Sequence, residues 1–240
     1  VIEQRLQAVR DRIAAACSRC GRAPSDVTLV GVSKTHPASA VRAAFAAGLR
    51  DFGENRVQEA EAKSAELADL RAAGLRWHLI GHLQANKAKK AAALFDVVHS
   101  VDGAALGARL DKAAAEQGRV LPVLVQVDLA GEATKYGLEE AGLMAALEAL
   151  RASGSLRVEG LMVLPPYFED PEAARPFFRR LRDLRDKAVA RGLGGAQLSM
   201  GMSHDFEVAI EEGATLVRVG TALFGERATA PAEPPGGARG

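Results

Sequence analysis

LVGVSKTH (29–36) is the stretch that decides the fold: small and β-branched apolar residues, too few for a typical helix, ending in a lysine. PASAVRAAFAAG (37–48) follows at once, with the alanine content and apolar spacing of a helix. The pair reads as a strand handing over to a helix, which puts Lys34 at the carboxyl edge of the strand.

The same handover recurs along the chain. LRDFG (49–53), LRWHLIG (75–81), LFDVVHS (94–100), VLPVLVQVD (120–128), LRVEGLMVL (156–164), AQLSM (196–200) and TLVRVG (215–220) bring the strand candidates to eight. Helices are predicted between them over 55–72, 86–93, 103–117, 139–152, 171–191 and 203–213. Ahead of the first strand, Leu6, Val9 and Ile13 recur at helical intervals, so an additional N-terminal helix is expected from residue 2 to about residue 20, stopped by GRAPS. The alternation predicts an α/β fold, a single (β/α)8 TIM barrel, although an open doubly wound sheet has the same pattern. A length of 240 residues suits one barrel, expected over 1–227, with the Pro- and Gly-rich 228–240 as a flexible tail.

Hydrophobic residues make up 48% of the chain and charged residues 25%, which supports a sizeable core and argues against wholesale disorder. With 31 basic residues against 30 acidic ones, no nucleic-acid partner is expected. No apolar segment approaches the roughly 20 residues needed to cross a bilayer, and the N-terminus lacks the layout of a secretory signal. No membrane partner is therefore expected, and the location is read as cytoplasmic. Cys17 and Cys20 have no second cysteine pair to complete a four-thiolate zinc site and read as structural thiols, with no metal expected.

Three stretches place polar groups where a parallel barrel gathers its reacting groups. Lys34 can offer its amine to a phosphate or an aldehyde, while a solvated strand-end lysine explains it equally well in isolation. In QLSMGMSHDFEVAIEEG (197–213), Gly201 falls in a loop and Ser203 near the start of the next helix, where it caps that helix or helps bind an anion. LVRVGTALFG (216–225) sets Arg218 on a strand and Gly220 and Thr221 at its edge, as a phosphate loop without a Walker lysine or as a plain turn. The three gain weight together, because barrels commonly bind phosphate in the loops after their last two strands.

Other polar groups are less decisive. GEN (53–55) and WHLIGHLQANK (77–87) set Asn55, His78, His82, Gln84, Asn86 and Lys87 around strand ends, orienting a ligand or satisfied within their own loops. His78 and His82 have metal spacing only on a helix, which LIG between them argues against. Lys135, in KYG, stands at the ligand end or pairs with a carboxylate. Tyr167, in MVLPPYFED, reads as a structural phenol in a stiff loop.

GVSKTH, DFGENRVQE, WHLIGHLQANK, KYG, LSMGMSHDFEVAI and VRVGTALFG together resemble the YggS/PROSC family of pyridoxal 5'-phosphate (PLP) homeostasis proteins, from Leu29 through Gly225. The resemblance implies a barrel related to the N-terminal domain of bacterial alanine racemase, PLP as cofactor, and Lys34 as the lysine that forms a Schiff base with it. It implies Ser203, Gly220 and Thr221 around the cofactor phosphate, and Ser199 and Gly201 in the same pocket. Arg218 falls near the pyridine nitrogen, Asn55 near the ring, and Met200 as an apolar contact. An arginine at the ring nitrogen stays charged and discourages ring protonation, which weakens the electron sink needed for carbanion chemistry.

The implied function is PLP binding in intracellular vitamin B6 homeostasis, as a non-catalytic regulator with no catalytic residue assigned. The alternative is a PLP-dependent amino-acid racemase. Alanine racemase draws a tyrosine from a C-terminal domain, and Tyr167 has no matched claim to that role. Implied partners are PLP, other B6 vitamers and PLP-dependent apoenzymes, with a monomer as the expected state.

Overall fold

The computed structural model describes residues 1–131 and 136–225, so the expectations for Lys135 and for a tail over 228–240 lie outside the described residues. The strands are β1 (Thr28–Val32), β2 (Asp51–Glu54), β3 (Arg76–Leu79), β4 (Val97–Val101), β5 (Leu121–Asp128), β6 (Leu138–Glu139), β7 (Leu156–Met162), β8 (Gln197–Met202) and β9 (Leu216–Val219). They pair in the order β4-β3-β2-β1-β9-β8-β7-β5, all parallel, and a β4–β5 pairing closes the ring. That closure decides between the two folds the alternation allows: the chain is a (β/α)8 barrel. The two-residue β6, not foreseen from the sequence, adds onto the end of β5 at Val127 and Asp128.

Helix α1 (Ile2–Arg19) precedes the barrel, and α2 (Ala38–Ala46), α3 (Val57–Glu66), α4 (Ala68–Ala72), α5 (Ala88–Leu94), α6 (Ala104–Ala115), α7 (Leu143–Arg151), α8 (Arg175–Ala190), α9 (Phe206–Glu211) and α10 (Thr221–Phe224) surround it. The single helix expected over 55–72 is two, broken at Leu67, where φ is −117° and ψ 25°. The helix expected from Ser203 begins later, at Phe206.

Two apolar regions follow from the period-2 alternation of a strand buried on both faces. Outward residues such as Phe52, Trp77, Val98, Leu161, Leu198 and Val217 join the one-sided stripes of the helices, for example Phe178, Leu181 and Leu184 of α8, in a large shell. Burying each such side chain contributes roughly 1.5–3 kcal/mol, which makes this shell the main source of stability. Inside the ring the apolar cluster is small: Val30, Leu124, Met162 and Leu216. Beside it the interior carries the buried polar side chains of Asp51, His78, His99, Ser199 and Arg218.

α1 buries Leu6, Val9, Ile13, Ala16 and Cys17. It is tied to the end of the barrel by Arg5, which donates to the Phe224 carbonyl at 3.0 Å, and by Arg12–Glu207 (2.6 Å) and Arg19–Glu211 (2.7 Å) pairs. Both cysteines are free thiols, and burial pushes that of Cys17 up. Among the described residues no helix is long and apolar enough to cross a membrane, and no group of three or more His, Cys, Asp or Glu is placed to hold a metal.

Candidate functional site at the carboxyl rim

Lys34 is partly buried in the turn that follows β1. Its two neighbours are held by a network the sequence reading did not find. Lys63 of α3 donates to the Ser33 carbonyl (2.6 Å), to Glu54 (2.7 Å) and to Glu59 (3.0 Å). The Ser33 hydroxyl donates to the same Glu54 oxygen at 2.6 Å, and the Thr35 amide donates to Glu59. Thr35 has φ +65°, a left-handed conformation uncommon for a β-branched residue. Glu54 is fully buried, and its second oxygen has no hydrogen-bond partner among the described residues. Burial pushes its carboxyl up, against the pull of Lys63 and Ser33.

Two strands along the rim, past β9, β8 turns sharply at Gly201, where φ is +90°. A Cβ there would lie 2.6 Å from the Ala209 Cβ and 2.8 Å from the Phe206 Cα, so only glycine lets β8 fold this closely over α9. The N-cap of α9 is Asp205, whose carboxylate accepts the Met202 amide at 2.6 Å; Ser203 is not the cap. With the cap position already occupied, the Ser203 hydroxyl turns to the end of β9. There it accepts the amides of Gly220 (3.1 Å) and Ala222 (3.4 Å), beside the exposed Thr221. Two backbone donors converging on one oxygen at a helix start have the geometry of an anion cradle.

Arg218 of β9 points into the ring. It donates to the Ser199 hydroxyl at 2.5 Å and to the Val163 carbonyl at 2.9 Å, and has no carboxylate in ion-pair contact among the described residues. Burial lowers its pKa to about 10, with the charge of Asp205 acting the other way. The Ser199 hydroxyl also meets His99 Nδ1 at 2.8 Å, His99 Nε2 meets His78 Nδ1 at 2.8 Å, and His78 Nε2 meets Asp51 at 2.8 Å. Asp51 in turn accepts from Arg76 at 2.7 Å. His78 is therefore satisfied inside the barrel and is not a rim ligand. His99 and Asp51 escaped the sequence reading, although a histidine flanked by apolar residues in DVVHSV signals a polar group facing the barrel interior.

The remaining expected residues are spread around these groups. Asn55 lies beside Gly81, where an added Cβ would meet the Asn55 carbonyl at 2.3 Å, so the two backbones are in direct contact. Both line a cleft of about 630 Å³ with Arg56, Gln84, Lys87 and His82, whose ring stacks on Tyr136 at 3.6 Å. Met200 is fully buried and joins the shell outside the ring, on the face opposite Ser199. Tyr167 is 76% exposed and tilts against His204.

Residues 4–228 match the family described as alanine racemase, N-terminal domain. A pyridoxal phosphate homeostasis protein of Aquifex aeolicus is 46% identical over 225 residues, covering 93% of this chain and 97% of its own length. One of Pseudomonas aeruginosa is 47% identical over 226 residues, covering 94% and 96%. Among solved structures, PipY of Synechococcus elongatus with PLP bound is 43% identical, with a TM-score of 0.84, covering 94% of this chain and 100% of that one. Likeness of this extent, carried through the whole barrel, makes the chain a member of the alanine racemase N-terminal domain family, among the pyridoxal phosphate homeostasis proteins.

Proposed function

We propose that this chain binds PLP at the carboxyl rim, covalently through Lys34, and serves intracellular vitamin B6 homeostasis without catalytic turnover. The observation that carries the reading is the cradle at Ser203, formed on the same rim as Lys34 by the amides of Gly220 and Ala222. A phosphate needs convergent donors and an aldehyde needs an amine; the rim carries both. The PLP bound by the Synechococcus relative supports the same ligand here.

When bound, PLP supplies an electrophilic aldehyde and an electron-withdrawing ring. Lys34 would hold the aldehyde carbon through its ε-amine, with loss of water, on a turn fixed from below by Lys63 and Glu59. Ser203, Gly220 and Thr221 would hold the phosphate, with Gly201 and Ser199 in the same pocket and Asn55 near the ring. Met200 would act from the shell, as support beneath that wall. Arg218 would face the ring nitrogen; a cation with no carboxylate in ion-pair contact among the described residues keeps a proton off that atom, which supports holding the cofactor over carbanion chemistry. The exposure of Tyr167 supports the same choice against a racemase. PLP-dependent apoenzymes would receive the cofactor from a monomeric, cytoplasmic carrier.

Incubation with PLP, borohydride reduction and peptide mapping test the assignment. The adduct is expected on Lys34 and absent from Lys34→Ala. An adduct elsewhere, or one unchanged in the variant, overturns it. Solvent deuterium appearing at the α-carbon of an amino acid would restore the racemase.

A further inference from the structure

The buried chain Arg218–Ser199–His99–His78–Asp51 runs from the ring-facing arginine to the other mouth of the barrel. Asp51 opens β2, and with Arg76, His78, Asp96, Arg157 and Glu159 it lines a cavity of about 390 Å³ at the amino ends of the strands. The two termini of the chain are chemically fixed. A guanidinium only donates hydrogen bonds and a carboxylate only accepts them.

Because Arg218 donates to the Ser199 oxygen, the serine hydrogen is available for His99 Nδ1. His99 then carries its proton on Nε2 and donates to His78 Nδ1, and His78 carries its own on Nε2 and donates to Asp51. Every hydrogen points the same way, toward the carboxylate, and both rings are neutral. Such aligned chains polarise one another, so each acceptor strengthens the donor behind it. The groups facing the rings agree with this. Asp51 stays ionised, since hydrogen bonds from His78 and Arg76 outweigh its burial. Burial, with the nearby charge of Arg218, holds His99 well below the ordinary imidazole range.

We propose that His99 and His78 are positioning residues for Arg218: anchored at Asp51, they hold the Ser199 oxygen toward the guanidinium and so fix the cation that faces the cofactor ring. The role toward the ring rests on the proposed PLP site; the direction of the relay does not.

The test begins with the cofactor-free protein, whose histidine tautomers are read by long-range ¹H–¹⁵N spectra. Both rings are expected to show a protonated Nε2 and a bare Nδ1, and His99 is expected to keep that state on either side of the ordinary imidazole pKa of about 6.5. A proton on Nδ1 of either ring, or an ordinary titration of His99, overturns the relay. Asp51→Asn supplies the second arm. Arg76 would hold the amide oxygen, leaving the amide NH2 to face His78, so the proton positions should exchange on both rings, including His99, which Asp51 does not touch. An unchanged His99 overturns the relay.

PLP is then added to both proteins, and the pH midpoint of the bound-cofactor absorbance is expected to shift by roughly half a unit in Asp51→Asn, a cost well under the 1.36 kcal/mol of a full unit. Inverted rings with an unmoved midpoint overturn the positioning role and leave PLP binding intact. No PLP uptake by the wild-type protein overturns the cofactor reading, and the positioning role with it, while the tautomers still report the relay separately.

Discussion

Lys63 donates to the Ser33 carbonyl at 2.6 Å, so a side chain of α3 holds the backbone one residue ahead of Lys34. The same ammonium neutralises Glu54, whose side chain is fully buried. Support for the lysine turn and compensation of a buried charge are thus one interaction.

Removing that ammonium should cost far more than a surface pair. Lys63→Met leaves Glu54 buried and uncompensated, and a loss of about 3 kcal/mol or more is expected in urea unfolding. Lys63→Met combined with Glu54→Gln should recover much of it. A single variant as stable as the wild type would show that the pair is not buried in solution.

Gly201→Ala tests the turn that frees Ser203. The added methyl meets Ala209 and Phe206 at a backbone angle that L-residues rarely adopt, so a destabilisation of about 2 kcal/mol is expected by thermal or urea unfolding. PLP uptake should fall with it.

Ser203→Ala removes the oxygen on which the Gly220 and Ala222 amides converge. The loss of one such group costs about 1 kcal/mol, so PLP titration followed by absorbance should show binding weakened by roughly fivefold while the fold, read by circular dichroism, stays intact. Unchanged affinity would move the phosphate elsewhere on the rim.

Acid should destabilise the protein earlier than its carboxylates alone require. His99 takes up its proton in the folded state only well below the ordinary value of 6.5. Between the two values the unfolded chain binds more protons, so stability is full above about pH 6.5 and falls as pH drops through it. The expected slope is at most about 1.4 kcal/mol per pH unit, and it should be missing from His99→Gln. Glu54 and Asp205, both raised by burial, tilt stability the opposite way, but they do so in both proteins and cancel in the comparison.

The barrel was legible because its strands are buried on both faces and its helices on one. Runs such as VLPVLVQVD and stripes such as Leu6, Val9 and Ile13 carry those two patterns in short windows. The loops after β8 and β9 were legible as loops for the same local reason. Ser203 was harder, since cap and cradle ask for the same residue type, and only the Asp205 carboxylate on the Met202 amide shows that Ser203 is not the cap. The relay was not legible: its members come from β2, β3, β4, β8 and β9, and His99 and Ser199 are 100 positions apart. Their meeting depends on ring closure through β4 and β5, which no window contains.

The clamp from Arg5 to the Phe224 carbonyl joins α1 to α10. β9, which carries Arg218, sits between β1 and β8. During synthesis β1, the strand ahead of Lys34, therefore leaves the ribosome with one edge unpaired, and keeps it so until almost the entire barrel has followed. A nascent chain in this state presents an apolar strand edge to its neighbours. Translation that stalls before β9 should yield a species that needs a chaperone and has neither Arg218 nor the Gly220–Thr221 turn.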